Sequence, residues 1–345
     1  MIKIAIVTRP QNSSPKILAQ SLAEQLSLLN INSKIFYQIN AFKRLLKYSV
    51  VRQRYPYYKW FIYKMIFFVT DRLFIHKLKT FDAIIISDCS PIGFFYNSYD
   101  IERLNEIVGS IPIIFYEVYY LGNAPNVLEM LKNKEQPTIE RYNWHLSVTD
   151  ITEIKNKPAP PWSQIGIYLK GTGLRPNVKK QIMAVVDFAR PGYEHYRNVQ
   201  IQALEKLNIP YISLEKRYTI SEIRSIYQQA TFFFIQFLES FGLPIAECLC
   251  CGNHIFTPDS SWPMAWRLDE NPKVYAPGSL PECFVVYSGQ DDLETKLKKI
   301  KKDYDFKETP QKIFEIFIKH YPTYYEGNQI SLKDVLRRIE LKKFN

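Results

Sequence analysis

Several familiar signatures are missing from this chain of 345 residues. Its 5 cysteines (Cys89, Cys248, Cys250, Cys251 and Cys283) are odd in number and three of them crowd together. That excludes a disulfide framework and points to a reducing compartment. No stretch of about 18 uncharged apolar residues occurs, which argues against a membrane-spanning helix. The opening "MIKIAIVTRP" has no signal-peptide pattern, because an apolar β-type run begins almost at once. The expected location is therefore cytoplasmic. No glycine-rich loop ends in Lys-Ser or Lys-Thr, and no Gly-x-Ser-x-Gly elbow is present. The 5 histidines form no ligand pair at i, i+4. No repeat of solenoid period is found.

What is present is ordinary in bulk and uneven in detail. Apolar residues at 46% and charged residues at 23% suit a soluble globular chain, and the length suits two domains with a core each. The formal net charge of +11 is concentrated. Residues 42–81 carry Lys43, Arg44, Lys47, Arg52, Arg54, Lys59, Lys64, Arg72, Lys77 and Lys79 against Asp71 alone. The middle of this stretch, "YPYYKWFIYKMIFFV", is aromatic and apolar. Basic residues among Trp, Tyr and Phe fit a peripheral contact with an anionic membrane surface, where each Lys or Arg contributes about 1 kcal/mol. A core helix with a solvated basic face is the plainer alternative. Counterion release would reward the same charges on nucleic acid, but a nucleic-acid partner is not expected.

Along the chain, short β-rich apolar runs alternate with helical patterns. "KIAIVT", "SKIFYQI", "DAIIIS", "IPIIFYEVYY" and "WHLSVT" form a first series of strands. After a connection rich in proline and glycine, "IMAVVDF", "PYISL", "TFFFIQF", "HIFT" and "CFVVY" form a second. Continuous apolar runs separated by helices indicate parallel strands covered on both faces. The expected organisation is a first α/β domain over residues 1–155, a linker over 156–177 and a second α/β domain over 178–320. Residues 321–345 are expected to form a C-terminal helix.

The most informative stretch is "ESFGLPIAECLCCGNH", residues 239–254. The strand before it should end near Glu239, at the carboxyl edge of a parallel sheet, where ligands of open α/β sheets bind. Gly242 permits a sharp turn, Pro244 suits the first helical position and Gly252 suits the stop. A helix over 244–251 follows. Its apolar residues Ile245, Cys248 and Leu249 share one face, so Glu247 is expected to point outward. Amides at Leu243, Ile245 and Ala246 would form an anion site able to take a diphosphate. Glu247 could then accept hydrogen bonds from two neighbouring ribose hydroxyls, each worth roughly 1.5–3 kcal/mol. Cys248, Cys250, Cys251 and His254 point in different directions on such a helix, so they read as buried small residues rather than a zinc site.

The segment "YTISEIRSIYQQATFFFIQFLESFGLPIAECLCCG" resembles the donor-binding segment of retaining GT-B glycosyltransferases of family 4 (glycosyl transferases group 1). Glu239, Phe241, Gly242, Leu243, Pro244, Glu247 and Gly252 fall in the places of that family's pattern. The resemblance covers residues 182–257 by motif and the rest by architecture. It implies two Rossmann-like parallel-sheet domains facing across a cleft, with the first on the acceptor side and the last helix returning to it. It implies a hexosyltransferase-like enzyme that uses a nucleotide-diphosphate sugar, needs no cofactor or metal, and acts on a glycan or lipid-linked glycan in polysaccharide biosynthesis. By the same resemblance Glu239 contacts the donor sugar, and Gly242, Leu243, Pro244 and Ile245 approach sugar and phosphate. Arg190 neutralises the diphosphate, with Arg197 standing in because His195 occupies the family's lysine position. Ser260, Ser261 and Arg267 in "PDSSWPMAWR" are further donor-side candidates. In the first domain the usual glycine pair is replaced by "TRPQNSSP", leaving Arg9, Ser13 and Ser14 as acceptor-side candidates. The family's histidine after the fourth strand is absent, and Glu117 or Tyr119 stands near its place. A non-catalytic nucleotide-sugar-binding or scaffold protein on the same fold is the alternative.

Overall fold

The fold was obtained as a computed structural model, which describes residues 2–8, 14–37, 73–74, 76–88, 101–119, 142–149, 161–237, 239, 241–269 and 277–342. The chain divides into two compact units: Met1–Ile167 with Asn328–Asn345, and Tyr168–Gly327.

The first unit is built on strands β1 (Lys3–Thr8), β2 (Asn32–Tyr37), β3 (Ala83–Ser87), β4 (Ile113–Tyr119), β5 (Trp144–Thr149) and β6 (Trp162–Gln164). They pair in the order β2-β1-β3-β4-β5-β6, all parallel. Helices α1 (Ser14–Leu28), α2 (Ile101–Val108) and α8 (Gln329–Glu340, numbered in chain order after those below) belong to the same unit. Ile84, Ile85 and Ile86 are each almost fully buried, as a central parallel strand covered on both faces requires. Arg338 on α8 lies over the Trp144 ring at 4.7 Å, so the last helix packs on β5.

The sixth strand is a departure from the sequence reading, which placed residues 162–164 in a linker. "WSQ" has no β pattern of its own. It is held as a strand by its register with His145, Leu146 and Ser147 of β5. The Trp162 indole also donates to the Ser147 hydroxyl at 2.8 Å.

The second unit contains β7 (Ala184–Val186), α3 (Glu194–Lys206), β8 (Tyr211–Ser213), α4 (Ile220–Gln229), β9 (Phe232–Phe234), α5 (Leu243–Cys250), β10 (His254–Pro258), β11 (Phe284–Tyr287), α6 (Gly289–Asp303) and α7 (Glu308–His320). Its sheet runs β11-β10-β9-β7-β8, again all parallel. The core includes Val186, Leu204, Phe232, Phe234, Phe256 and Leu293. Helix α4 starts at a complete capping box, in which Thr219 and Glu222 bond each other's backbone amides. The strands are shorter than their apolar runs, because residues such as Asp187 and Gln236 leave the ladder at its carboxyl edge.

The chain therefore has two Rossmann-like parallel-sheet units, each wound on its own sheet. In each sheet the first strand is flanked on one side by the second and on the other by the third. This reversal of winding is the topological switch point, where open α/β sheets bind ligands.

Candidate functional site

In the second unit the switch point lies between β7 and β9, and the chain leaves these strands through Asp187 and Ile235. The two exits are tied together. The Asp187 amide donates to the Phe234 carbonyl at 3.1 Å, and Gln236 Nε2 donates to the Asp187 carbonyl at 2.8 Å. Arg190 is exposed and lies over the Phe237 ring, 4.5 Å from its centroid. This cation–π contact holds the guanidinium beside the strand end from which Glu239 follows. Arg197, on α3, is engaged differently. Its Nε donates to the Asp187 carbonyl at 3.4 Å, and its Nη2 donates to the Ser213 hydroxyl and lies 3.4 Å from Glu215.

Two carboxyls share this edge. Asp187 is 4% exposed and Glu239 is partly buried. Burial raises Glu239 to about 7; the charge of Asp187 adds to the rise and Arg190 opposes it. Burial likewise raises Asp187 to about 6, against the Phe188 amide and the charges of Arg190 and Arg197. The edge can therefore hold a proton near neutral pH.

The turn behind Glu239 depends on glycine. Gly242 has φ +67°, and a Cβ there would stand 2.8 Å from Ile245 Cδ1 and 3.5 Å from the Glu239 carboxyl carbon. So the Glu239 side chain crosses close above Gly242. Helix α5 begins at Leu243 rather than Pro244 and ends at Cys250, where Gly252 follows with φ +73°. The expected cradle of three free amides is not what the first turn provides. Ile245 and Ala246 both direct their N–H to the Gly242 carbonyl, at 2.9 and 3.4 Å, which closes the turn on itself.

Glu247 also differs from expectation. It is only 3% exposed rather than outward-facing. Arg224 on α4 reaches it, with Nε donating to Oε1 at 2.8 Å and Nη2 at 2.8 Å from the same oxygen. Burial raises the Glu247 pKa, and Arg224 works against that rise. Helix α5 is apolar nearly all round, with Ile245, Ala246, Cys248, Leu249 and Cys250 all buried, so no open face remains for Glu247.

The loop after β10 holds the donor-side candidates Ser260, Ser261 and Arg267. Within it, Met264, Ala265 and Trp266 form a buried single turn. The Met264 amide donates to the Glu239 carbonyl at 3.3 Å, and Ser261 is buried with its hydroxyl donating to the Gln236 carbonyl at 3.3 Å. Arg267 is 7% exposed and donates to the Trp262 carbonyl at 3.1 Å. Ser260 alone of these candidates is exposed, bonded to the Tyr196 hydroxyl. The structure thus gathers Glu239, Gly242, Arg190 and Ser261 around one strand edge, adds Asp187 and Gln236 there, and sets Arg224 against Glu247, three residues that sequence reasoning missed. A lone carboxylate after a strand was the signal that could have found Asp187.

In the first unit Ser14 opens α1, while Arg9 and Ser13 lie outside the described residues. Glu117, the acceptor-side candidate near the place of the family's absent histidine, is buried. It is 1% exposed, 3.6 Å from the likewise buried His145. Being at the centre of a strand covered on both faces puts it inside. Tyr119 ends β4. Most of residues 42–81 lie outside the described residues. Among the described residues no cluster of His, Cys, Asp and Glu could hold a metal, and no helix is long and apolar enough to cross a membrane. Cys248, Cys250, Cys251 and Cys283 are buried thiols; burial pushes Cys251 and Cys283 up to about 12.

Neither a family model nor a curated protein matches this chain. Among solved structures it is similar to an "alpha-glucosyltransferase (AGT) in complex with UDP", at TM-score 0.58 and 11% identity, covering 99% of this chain and 100% of that one. It is also similar to "WaaG, a glycosyltransferase involved in lipopolysaccharide biosynthesis", at TM-score 0.42 and 12% identity, covering 91% and 99%. At such identity the first of these likenesses, over nearly the whole of both chains, shows the GT-B fold alone.

Proposed function

We propose that this protein is a glycosyltransferase. It moves a sugar from a nucleotide-diphosphate donor to a glycan or lipid-linked glycan, with retention of configuration and without a metal. The observation that supports the reading is the set Arg190, Glu239 and Gly242 at the carboxyl edge of the second sheet, with Glu247 on the helix that follows, on a fold shared with an enzyme whose solved complex holds UDP. In this reading Arg190 stabilises the departing diphosphate, Glu239 accepts hydroxyls of the donor sugar, and Glu247 accepts those of the ribose. The departing phosphate takes the proton of the incoming hydroxyl, so no protein base is required. Arg197 supports the strand edge and adds positive charge behind Arg190.

Calorimetric titration with UDP, GDP, CMP and ADP, with Glu247→Ala as control, tests the donor site. Selective binding of one nucleotide, lost in the variant, is expected. Transfer of labelled sugar from that nucleotide's derivatives to a lipid-linked glycan then separates an enzyme from a non-catalytic binder. Residues 42–81 are proposed to rest on an anionic membrane surface. Sedimentation with anionic liposomes that weakens in salt is expected, and a protein that stays in the supernatant at low salt would refute this.

A further inference from the structure

We infer that Arg224 is a positioning residue of the nucleotide site: by holding Glu247 through Oε1, it commits the other carboxylate oxygen to the vicinal hydroxyls of a ribose. The inference rests on the nucleotide-site reading of Glu247 given above.

An arginine facing a carboxylate commonly forks, with one donor to each oxygen. Here Nε and Nη2 both close on Oε1, at 2.8 Å each. The guanidinium thus meets the carboxylate at one corner. Both backbones are fixed. Arg224 follows the capping box of α4 by two residues, and Glu247 lies on α5 between Ala246 and Cys248, both fully buried. The side chains differ in access: Glu247 is 4% exposed and Arg224 is 20% exposed. A ligand arriving at Glu247 would therefore meet the edge of the guanidinium as well. Burial alone would favour the neutral acid, which accepts hydroxyl hydrogens poorly; Arg224 opposes that tendency. The pair thus holds a nearly inaccessible carboxyl group by one oxygen.

The chemistry this selects is a cis-diol, which distinguishes ribonucleotides from 2′-deoxyribonucleotides. The test is to titrate the protein with whichever of UDP, GDP, CMP or ADP it binds best, and with the 2′-deoxy form of the same nucleotide. Wild type, Arg224→Met, Arg224→Lys and Glu247→Gln are compared, each checked for its melting transition. Wild type should prefer the ribonucleotide by about tenfold. Arg224→Met should lose that preference through weaker ribonucleotide binding, with binding of the deoxy form unchanged. Arg224→Lys, which keeps the charge but not the two convergent donors, should retain a reduced preference; it serves alone if the methionine variant does not fold. A preference lost in Glu247→Gln but undiminished in the Arg224 variants overturns this role and leaves the nucleotide site standing. A preference unchanged in Glu247→Gln, or no binding of any nucleotide by wild type, overturns both.

Discussion

Trp266 stacks on Phe241, with centroids 5.5 Å apart and planes within 20° of parallel, and its indole N–H donates to the Phe241 carbonyl at 2.6 Å. Phe241 immediately precedes the turn at Gly242, so a single buried tryptophan fixes the segment between Glu239 and Glu247. Tyr321 donates its hydroxyl to the Trp266 carbonyl, and Tyr324 packs edge-on at 5.2 Å. Rigidity at the turn therefore comes from residues far along the chain.

Trp266→Ala should lower the unfolding free energy by about 3–5 kcal/mol, as removal of a fully buried large side chain does. Chemical denaturation measures this. Nucleotide affinity at temperatures below the transition should fall as well, because the Phe241 carbonyl loses its donor. A variant of wild-type stability would show that Trp266 does not anchor the turn.

Gly252→Ala should be nearly as damaging for a different reason. The new methyl would lie 2.3 Å from the Pro310 carbonyl oxygen, in a backbone conformation with φ +73°. Pro310 belongs to α7 and cannot swing aside as a flexible side chain would. A loss of roughly 2–4 kcal/mol is expected in the same denaturation measurement. At Gly242 the nearest obstacle is the Ile245 methyl at 2.8 Å, which can move, so Gly242→Ala should cost only about 1–2 kcal/mol. The new methyl would meet the Glu239 carboxyl carbon only at an ordinary contact distance of 3.5 Å, so Glu239 should keep its place.

Glu239→Gln should change how stability depends on pH. In the unfolded chain the carboxyl titrates near 4.5, and in the folded protein near 7. Between those values the folded state keeps a proton that the unfolded state has released. Stability attributable to this group is therefore full below 4.5, falls as pH rises toward 7, and stays low above it. Glutamine has no such penalty. The variant's advantage should open across that window and reach roughly 3 kcal/mol at higher pH. Melting curves for both proteins across the window provide the check, and parallel curves would refute the buried-carboxyl account.

Arg190 and Arg197 should separate cleanly. Arg190 is exposed and touches Phe237, so Arg190→Ala should leave the melting temperature close to wild type while transfer falls at least about tenfold. Arg197 bonds the Asp187 carbonyl and Ser213, so Arg197→Ala should cost about 1 kcal/mol of stability in addition to activity. Equal activity of Arg190→Ala would remove it from the diphosphate role.

Much of the fold was readable before any coordinates. β1 runs over Lys3–Thr8 and β5 over Trp144–Thr149, the same residues as the runs "KIAIVT" and "WHLSVT", because continuous apolar sequence and two-sided burial are the same fact seen twice. The Gly242 turn, the short helix behind it and the stop at Gly252 were equally legible, since φ preference and the missing N–H of proline act within a few residues. Strand β6 was not, because "WSQ" is a strand only by virtue of pairing with β5.

The sequence alone thus determined most of the strands and the turn at Gly242. Tertiary structure decided how the site residues are used. It buried Glu247 and gave it Arg224, 23 positions earlier in the chain. It set Asp187 beside Glu239 and packed Trp266 of the loop after β10 against Phe241. The reason is physical. Conformational preference depends on near neighbours, whereas desolvation and charge pairing depend on which distant segments the winding of the sheet brings together.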